Sequence, residues 1–490
     1  MVHPKPRIII SALRGGSGKT LFSLGLIAAW RESGYRIAVF KKGPDFIDAG
    51  WLAFAAGRPC HNLDPFLMDQ PQILTSFLSH SSDADISLIE GNRGLYDGFD
   101  LHGRYSTAEL AKLLRTSVLL IIDVTMATRT MAAVVKGCQA FDPELDIAGV
   151  ILNRVGGSRQ ESLVRDAIEK YCGTPVVGSV PRLKENYFPE RHMGLVPFQE
   201  VDHAEKAVSW AKATVKENLD ISEIWRLAHR VTNLTPPPKD NNQQLTPTVS
   251  DRRPRIGFIR DKSFWFYYPE NLEQLERLGA VLVKIDALSD RELPPLSGLY
   301  IGGGFPETQA PALSNNLSFQ GSLREAIERG LPVYAECGGF MYLGESLIVD
   351  GKVYPMVGAL PVKFVLQEKP QGHGYTVLEV KGSNPYYQMG EILKGHEFHY
   401  SKAVLTEEEK VRFIFEVSRG QGVDGLRDGM CKNNLLATFT HVHAGGNAKW
   451  AENLFRVTLD YEMSRGKNFE TTDERTIDRK NFPPYTKKSK

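Results

Sequence analysis

Arg7-Ile8-Ile9-Ile10-Ser11-Ala12-Leu13-Arg14-Gly15-Gly16-Ser17-Gly18-Lys19-Thr20 passes from an apolar run straight into a glycine-rich turn, and residues 21–31 continue it with helical periodicity. Strand, glycine turn and helix in that order let backbone N–H groups curl inward around a phosphate, with the positive end of the helix dipole behind them. In that arrangement Gly15, Gly16, Ser17 and Gly18 form the cradle, Lys19 reaches the β- and γ-phosphates of ATP, and the Thr20 hydroxyl ligates Mg²⁺. One position departs from the GxxxxGK[ST] pattern. Its first glycine falls at residue 13, where this chain has Leu13.

Working outward, short apolar runs alternate with amphipathic helical stretches along most of the chain. The runs lie at 36–40, 86–90, 117–124, 147–152 and 176–180, then at 255–259, 281–285, 298–301, 331–335 and 435–440. This alternation predicts α/β domains with largely parallel sheets. Residues 232–254, TNLTPPPKDNNQQLTPTVSDRRP, break the pattern with a composition that describes an exposed linker. The predicted organisation is a P-loop domain over 1–231, the linker, a second α/β domain over 255–466, and a polar, basic tail over 467–490.

With 490 residues, 42% of them hydrophobic, the chain can bury two or three cores. A formal net charge of +1 gives no global field toward nucleic acid or an anionic membrane. Cys60, Cys138, Cys172, Cys337 and Cys431 form no CxxC pair, which fits a reducing compartment. No apolar run approaches the roughly 18 residues of a spanning helix, and residues 1–7 lack a signal-peptide pattern. The expectation is a cytoplasmic enzyme that binds neither nucleic acid nor membrane.

An open α/β sheet places its ligand at the carboxyl ends of its strands, and acidic residues gather there. Lys41-Lys42-Gly43-Pro44-Asp45-Phe46-Ile47-Asp48 follows one run, and Glu90-Gly91-Asn92-Arg93-Gly94-Leu95-Tyr96-Asp97-Gly98 follows another. Thr20, Asp45 and Glu90 are candidate magnesium ligands, and Asp45, Asp48 and Asp97 candidate substrate contacts. Against this, Asp45, Asp48 and Asp97 also suit plain turns. Glu90, ending a buried strand, needs a partner that a metal or Lys19 supplies. Asn153 reads as an adenine contact or a turn cap.

In the second half, residues 331–336 run as a strand into Cys337-Gly338-Gly339 and then a helix from Phe340. A thiol at such a turn is expected to be exposed, with backbone N–H groups in reach of an oxyanion. The competing reading is a small buried cysteine. Cys60-His61 with His102 offers no ligand-spaced metal set. His396 and His399 stand at helical spacing within an aromatic pattern that reads as a strand, and the aromatic run at 264–268 reads as core between the domains.

Taken together, the GSGKT loop, residues 40–48, Gly57-Arg58-Pro59-Cys60-His61-Asn62-Leu63-Asp64, residues 90–98, residues 264–272, Gly302-Gly303-Gly304-Phe305-Pro306-Glu307, Ala335-Glu336-Cys337-Gly338-Gly339 and Gly395-His396-Glu397-Phe398-His399-Tyr400 resemble the cobyrinic acid a,c-diamide synthase family. The resemblance covers nearly the whole chain except linker and tail. It implies an ATP- and glutamine-dependent carbon–nitrogen ligase: a class I glutaminase domain frees ammonia, and the P-loop domain uses ATP and Mg²⁺ to activate acetate side chains of a tetrapyrrole polycarboxylate as acyl phosphates.

On that resemblance Cys337 attacks the glutamine amide, a histidine near the C-terminus assists it, and backbone N–H groups of Gly303, Gly304 and Gly338 hold the oxyanion. His441 is the expected histidine, and His443 competes if the strand continues. Arg14 occupies the place of a signature lysine in related dimeric ATPases, which raises a homodimer. Lys42 and Trp51 depart from the family pattern beside the acceptor. They suggest an alternative acceptor such as sirohydrochlorin, its nickel chelate or sirohaem. A rival of another class, a P-loop ATPase switch with a degenerate binding domain, leaves Cys337 and His441 without a task.

Overall fold

Every residue from Arg7 to Ala12 is buried, which is stable only for a strand inside a sheet covered on both faces. A computed structural model describes residues 5–185, 187–191, 194–238, 253–447 and 449–464, and the chain divides into two compact units, Met1–Pro238 and Lys239–Lys490. In the first, β1 (Arg7–Ala12), β2 (Ile37–Lys42), β3 (Cys60–Leu63), β4 (Ile86–Glu90), β5 (Val118–Asp123), β6 (Ile147–Val155) and β7 (Val176–Pro181) form a sheet ordered β3-β2-β4-β1-β5-β6-β7. All its pairs are parallel. Parallel pairing puts the loops after β1, β2, β4, β5 and β6 at one edge, the carboxyl edge where such sheets bind ligands.

The glycine turn leads into α1 (Lys19–Glu32). Its left-handed positions are Gly16 (φ 69°) and Gly18 (φ 95°), whereas Leu13 is not among the non-glycine residues of positive φ. The missing first glycine therefore costs the turn nothing. Gly18 also has no room for a side chain, since a Cβ there would stand 2.9 Å from Asn153 Nδ2. α2 (Ile47–Ala56) follows β2 and closes on the left-handed Gly57 (φ 66°).

In the second unit a ten-stranded sheet runs in the order Val281–Ile285, Arg255–Ile259, Gly298–Ile301, Val333–Glu336, Leu435–Thr438, Arg427–Lys432, Arg412–Arg419, Gly372–Val380, Ile392–His399, His441–Val442. The first five strands are parallel and the remainder antiparallel. Along Val333–Glu336, Val333 and Ala335 join one apolar cluster and Tyr334 the other. Alternation of this kind places a core on each face.

The α/β class and the parallel first sheet match the sequence reading, with two differences. β3 is an additional edge strand, and half of the second sheet is antiparallel. Gly372–Val380 alternates buried and part-exposed positions, so it lacks the continuous apolar run that marks a doubly covered strand. The expected linker lies largely, and the tail wholly, outside the described residues. Among the described residues no helix is long and apolar enough to cross a membrane.

Candidate active sites

The first site lies along the carboxyl edge of the first sheet, around a cavity of about 820 Å³ lined by Gly15, Lys19, Thr20, Asp48, Arg93 and Asn153 among others. Lys19 Nζ donates to the carbonyls of Arg14 (3.3 Å) and Arg93 (2.8 Å). Burial lowers its pKa, the neighbouring Lys41 adds to this, and Glu90, Asp48 and Asp97 oppose it. Such a cation gains most from an incoming phosphate. Asn153 holds the loop: its Nδ2 donates to Ser17 O at 2.9 Å, and its Oδ1 accepts from Arg154 N. Arg154, in the left-handed region at φ 61°, bonds Asp123 (2.7 Å) and Gly16 O (3.1 Å). Burial works against the Asp123 carboxylate, but Thr125 and Arg154 outweigh it and bring the pKa to about 2. Arg14 is exposed and also pairs with Asp123, at 3.2 Å.

Behind the lysine sits a buried charge relay that the sequence reading did not assign. Lys41, 1% exposed, donates to Asp48 Oδ2 at 2.6 Å and to Glu90 Oε1 at 2.7 Å. Its two carboxylates raise its pKa despite the cost of burial. Thr20 Oγ1 donates to the same Glu90 oxygen at 3.2 Å, and Glu90 Oε2 is buried with no hydrogen-bond partner among the described residues. An orphaned carboxylate oxygen beside the P-loop hydroxyl is a donor set that suits a hard divalent cation.

The other acidic candidates are engaged differently. Asp45 Oδ1 accepts from Asp48 N at 2.6 Å at the start of α2, and burial plus the Asp48 charge push its pKa up to about 7. Asp97 is exposed and caps its own turn, accepting from Gly94 N at 2.8 Å. Of the three, only Asp48 is among the residues that line the cavity. Lys42 and Trp51 are both buried and neither lines it. Trp51 Nε1 donates to Val196 O at 2.9 Å, and its ring meets Phe188 edge-on at 5.3 Å. Both were expected beside the acceptor pocket, and neither is among the residues that line this cavity.

The second site is built on Cys337. It lies at φ 47°, ψ −103° between the strand Val333–Glu336 and the helix Gly338–Leu343, a conformation costing about 1–3 kcal/mol for an L-residue. Its neighbours explain the glycines. A Cβ on Gly338 would stand 3.0 Å from Gly304 N and O, and one on Gly339 would stand 2.6 Å from Ile301 O. Contrary to expectation the residue is not exposed (2%), because the strand Ile392–His399 covers it, with Sγ 3.8 Å from Phe398 O. Burial pushes the thiol pKa well up, Glu307 adds to this, and the Gly338 N–H opposes it. The resting group is a thiol, so a base must take its proton.

His441 is tied to the residue just before Cys337. Its Nδ1 is 3.3 Å from Oε2 of Glu336, the residue preceding the cysteine. A side chain on Gly303 would meet its Nε2 edge at 3.1 Å. The ring is fixed by His396, stacked at 5.0 Å, and by Phe266, edge-on at 6.0 Å. His443 is held elsewhere: its Nδ1 accepts from Gly445 N at 3.0 Å and its Nε2 faces Glu270 Oε2 at 3.5 Å. The strand breaks after Thr438, and His441–Val442 re-pairs with Gly395–His396. Asp428, which the sequence reading passed over, stitches that break through Thr438 (2.7 Å), Phe439 N (3.1 Å) and Thr440 (3.3 Å). The aromatic run is part of this site, since Phe264 and Phe266 pair with Gly304 and Gly303.

One unit thus holds a strained, glycine-flanked cysteine whose preceding residue meets an imidazole, and the other a P-loop with its lysine. Residues 255–449 match the CobB/CobQ-like glutamine amidotransferase domain, and residues 8–196 match the CobQ/CobB/MinD/ParA nucleotide binding domain. Fold and domains thus define a glutamine-dependent ligase. Over 93% of its length the chain is 44% identical to the cobyrinate a,c-diamide synthase of Magnetococcus marinus, covering 98% of that protein. It is 40% identical to the Archaeoglobus fulgidus enzyme of the same name (89% and 94% covered) and 38% identical to that of Dehalococcoides mccartyi (93% and 99%). The chain belongs to the cobyrinate a,c-diamide synthase family.

Proposed function

We propose that this chain amidates the a and c acetate carboxylates of a cobyrinate-type tetrapyrrole in cobalamin biosynthesis, using ATP and glutamine. The observation that carries the reading is Cys337, held in a strained turn whose preceding residue binds the His441 imidazole. As glutamine binds, His441 takes the thiol proton and Cys337 Sγ attacks the side-chain amide carbon. The oxyanion meets backbone N–H groups at Gly338 and in the Gly303-Gly304 loop, His441 hands its proton to the amide nitrogen so that ammonia leaves, and water, giving its proton back through His441 to the thiolate, releases glutamate from the thioester.

In the other unit a substrate carboxylate attacks the γ-phosphorus of ATP, giving an acyl phosphate and ADP. Ammonia then displaces phosphate and leaves the amide. Activation is required because the charge and resonance of a carboxylate resist a nucleophile. Lys19 and the backbone of residues 15–18 neutralise the transferring phosphoryl group, and Asn153 keeps that backbone in place. Thr20 and Glu90 would hold a magnesium ion, which supplies charge neutralisation on the phosphates. Lys41 bridges Glu90 to Asp48, so the carboxylate beside the P-loop and the one facing the cavity are fixed together.

The test uses the full chain with ATP, Mg²⁺, cobyrinate and either glutamine or ammonium chloride, with products weighed by mass spectrometry. Cys337→Ala is expected to abolish glutamate release and keep amidation from ammonia. Loss of both activities, or retention of glutamate release, overturns the division of labour.

A further inference from the structure

We propose that Glu336 is a positioning residue of the glutaminase: its carboxylate fixes His441 as the Nδ1–H tautomer, so that Nε2 presents the lone pair that receives the Cys337 proton. The inference rests on the Cys337–His441 reading and adds a third member from the residue directly before the nucleophile.

Glu336 is 1% exposed, and both its oxygens are committed. Oε1 accepts from Val442 N at 3.2 Å, the amide following His441 in the chain. Oε2 accepts from Tyr300 OH at 3.1 Å and lies 3.3 Å from His441 Nδ1. Tyr300 OH in turn accepts from Asn271 Nδ2 at 3.1 Å, and the other end of the Asn271 side chain accepts from Ala444 N at 2.7 Å. One carboxylate therefore grips the histidine at its ring and at the backbone after it, and is itself held by a tyrosine whose hydroxyl is already oriented. An acceptor-only group facing Nδ1 requires a proton on that nitrogen, which leaves Nε2 as the acceptor.

The neighbouring histidines have contacts of their own. His396, directly opposite His441 across the antiparallel pair, presents a ring face to it, and its Nδ1 is 3.1 Å from Tyr268 OH. Burial first and the neighbouring His441 second push its pKa far down. His443 has Nδ1 occupied by Gly445 N, and Glu270 faces His443. Glu336, from the strand Val333–Glu336, meets the Nδ1 ring nitrogen of His441, while His396, from Ile392–His399, stacks on its face.

Holding an imidazole by a buried carboxylate serves two ends. It fixes the geometry of proton transfer, and it stabilises the imidazolium formed when the thiol ionises. Placing that carboxylate next to the nucleophile in sequence lets the same turn that strains Cys337 set the orientation of its base.

The experiment compares Glu336→Gln with the unaltered full chain, reading glutamate release across pH and, in parallel, ammonia-driven amidation. Glu336→Gln is expected to lower kcat for glutamate release about 10²-fold, with little change in KM for glutamine, to move the acid limb of the profile to lower pH, and to leave the ammonia-driven rate unchanged. Glu336→Asp, shorter but still anionic, should recover part of kcat and return the acid limb. An unchanged kcat and limb in Glu336→Gln overturns the proposal. Should that variant not fold, as judged by its unfolding transitions in denaturant, the native chain labelled with ¹⁵N-histidine decides the matter: the His441 signals, assigned through His441→Gln, must report a proton on Nδ1, and a proton on Nε2 alone overturns it. Failure of the underlying reading is distinguished by Cys337→Ala and His441→Gln, which would then release glutamate normally.

Discussion

Gly303→Ala puts the proposed glutaminase geometry to its sharpest test, because the new methyl group meets His441, the proposed base. A Cβ built at Gly303 lies 3.1 Å from His441 Nε2 and in harder overlap with Cε1. Carbon and nitrogen settle at about 3.5 Å, so the ring must retreat by roughly 0.5–1 Å. It has little freedom to do so without cost: Nδ1 is tied to Glu336 at 3.3 Å, His396 stacks on one face at 5.0 Å, and Phe266 stands edge-on at 6.0 Å. Misplacing a catalytic group by about 1 Å costs on the order of 10²-fold in rate. Glutamate release is therefore expected to fall about 10²-fold with the glutamine KM nearly unchanged, while amidation from ammonium chloride proceeds at the unaltered rate. Both rates come from one set of reactions, with glutamate measured enzymatically and amide by mass. A glutamine-driven rate equal to that of the unaltered chain would refute the placement of His441. Equal loss of the ammonia-driven rate would trace the effect to a disrupted fold and sink the argument as well.

Other perturbations report on the first unit. Lys19→Ala should abolish amidation from both nitrogen sources while glutamate release persists; amide formation in this variant would remove Lys19 from phosphoryl transfer. Lys41→Met leaves Asp48 and Glu90 without their shared cation, and the free energy of unfolding of the first unit, followed in denaturant, should drop by about 3 kcal/mol; no change would mean the relay is not buried in solution. Asp45, with a folded pKa raised to about 7 by burial and Asp48, is a raised acid: its ionised form is disfavoured in the fold, so its penalty is absent below the unfolded pKa near 4 and complete above about 7. Asp45→Asn should therefore stabilise the chain relative to the original at pH 8 and lose that advantage by pH 4. A stability difference independent of pH across that window would contradict the shift.

The P-loop was legible because strand, turn and helix are local, and each announces itself by composition over fewer than about twenty residues. Cys337 was legible for the same reason, but its burial was not. The covering strand Ile392–His399 arrives from some sixty residues away, as the contact between Cys337 and Phe398 shows. Glu336 illustrates a signal present and unused. The argument applied to Glu90, that a carboxylate ending a buried strand needs a partner, holds word for word for Glu336, and its partners proved to be Tyr300, Val442 and His441. Lys41 was hidden by its type, since lysines are almost never fully buried unless paired, and its pairing with Glu90 spans 49 residues. The choice between His441 and His443 could not be settled by strand alternation, because the strand breaks after Thr438 and the two histidines take separate carboxylates.

The burial of Lys42 and Trp51 bears on what selects the acceptor. A residue discriminates between macrocycles by touching them, and these two do not face the cavity. Burial lowers the pKa of Lys42, with Asp64 opposing, and places its charge among Asp64, Lys41, Arg93 and Asp97, where it is part of the wall's own electrostatic balance. Trp51 acts at one remove, backing Phe188, which does line the cavity. A family departure at either position acts on how the wall of this cavity is supported and not on the residues that line it. The residues that line it include Arg93, Arg154 and Arg182 together with Phe188, Leu195 and Trp210. We propose that these cations and apolar side chains, a combination that suits a flat ring carrying several carboxylates, contribute to selectivity among such rings.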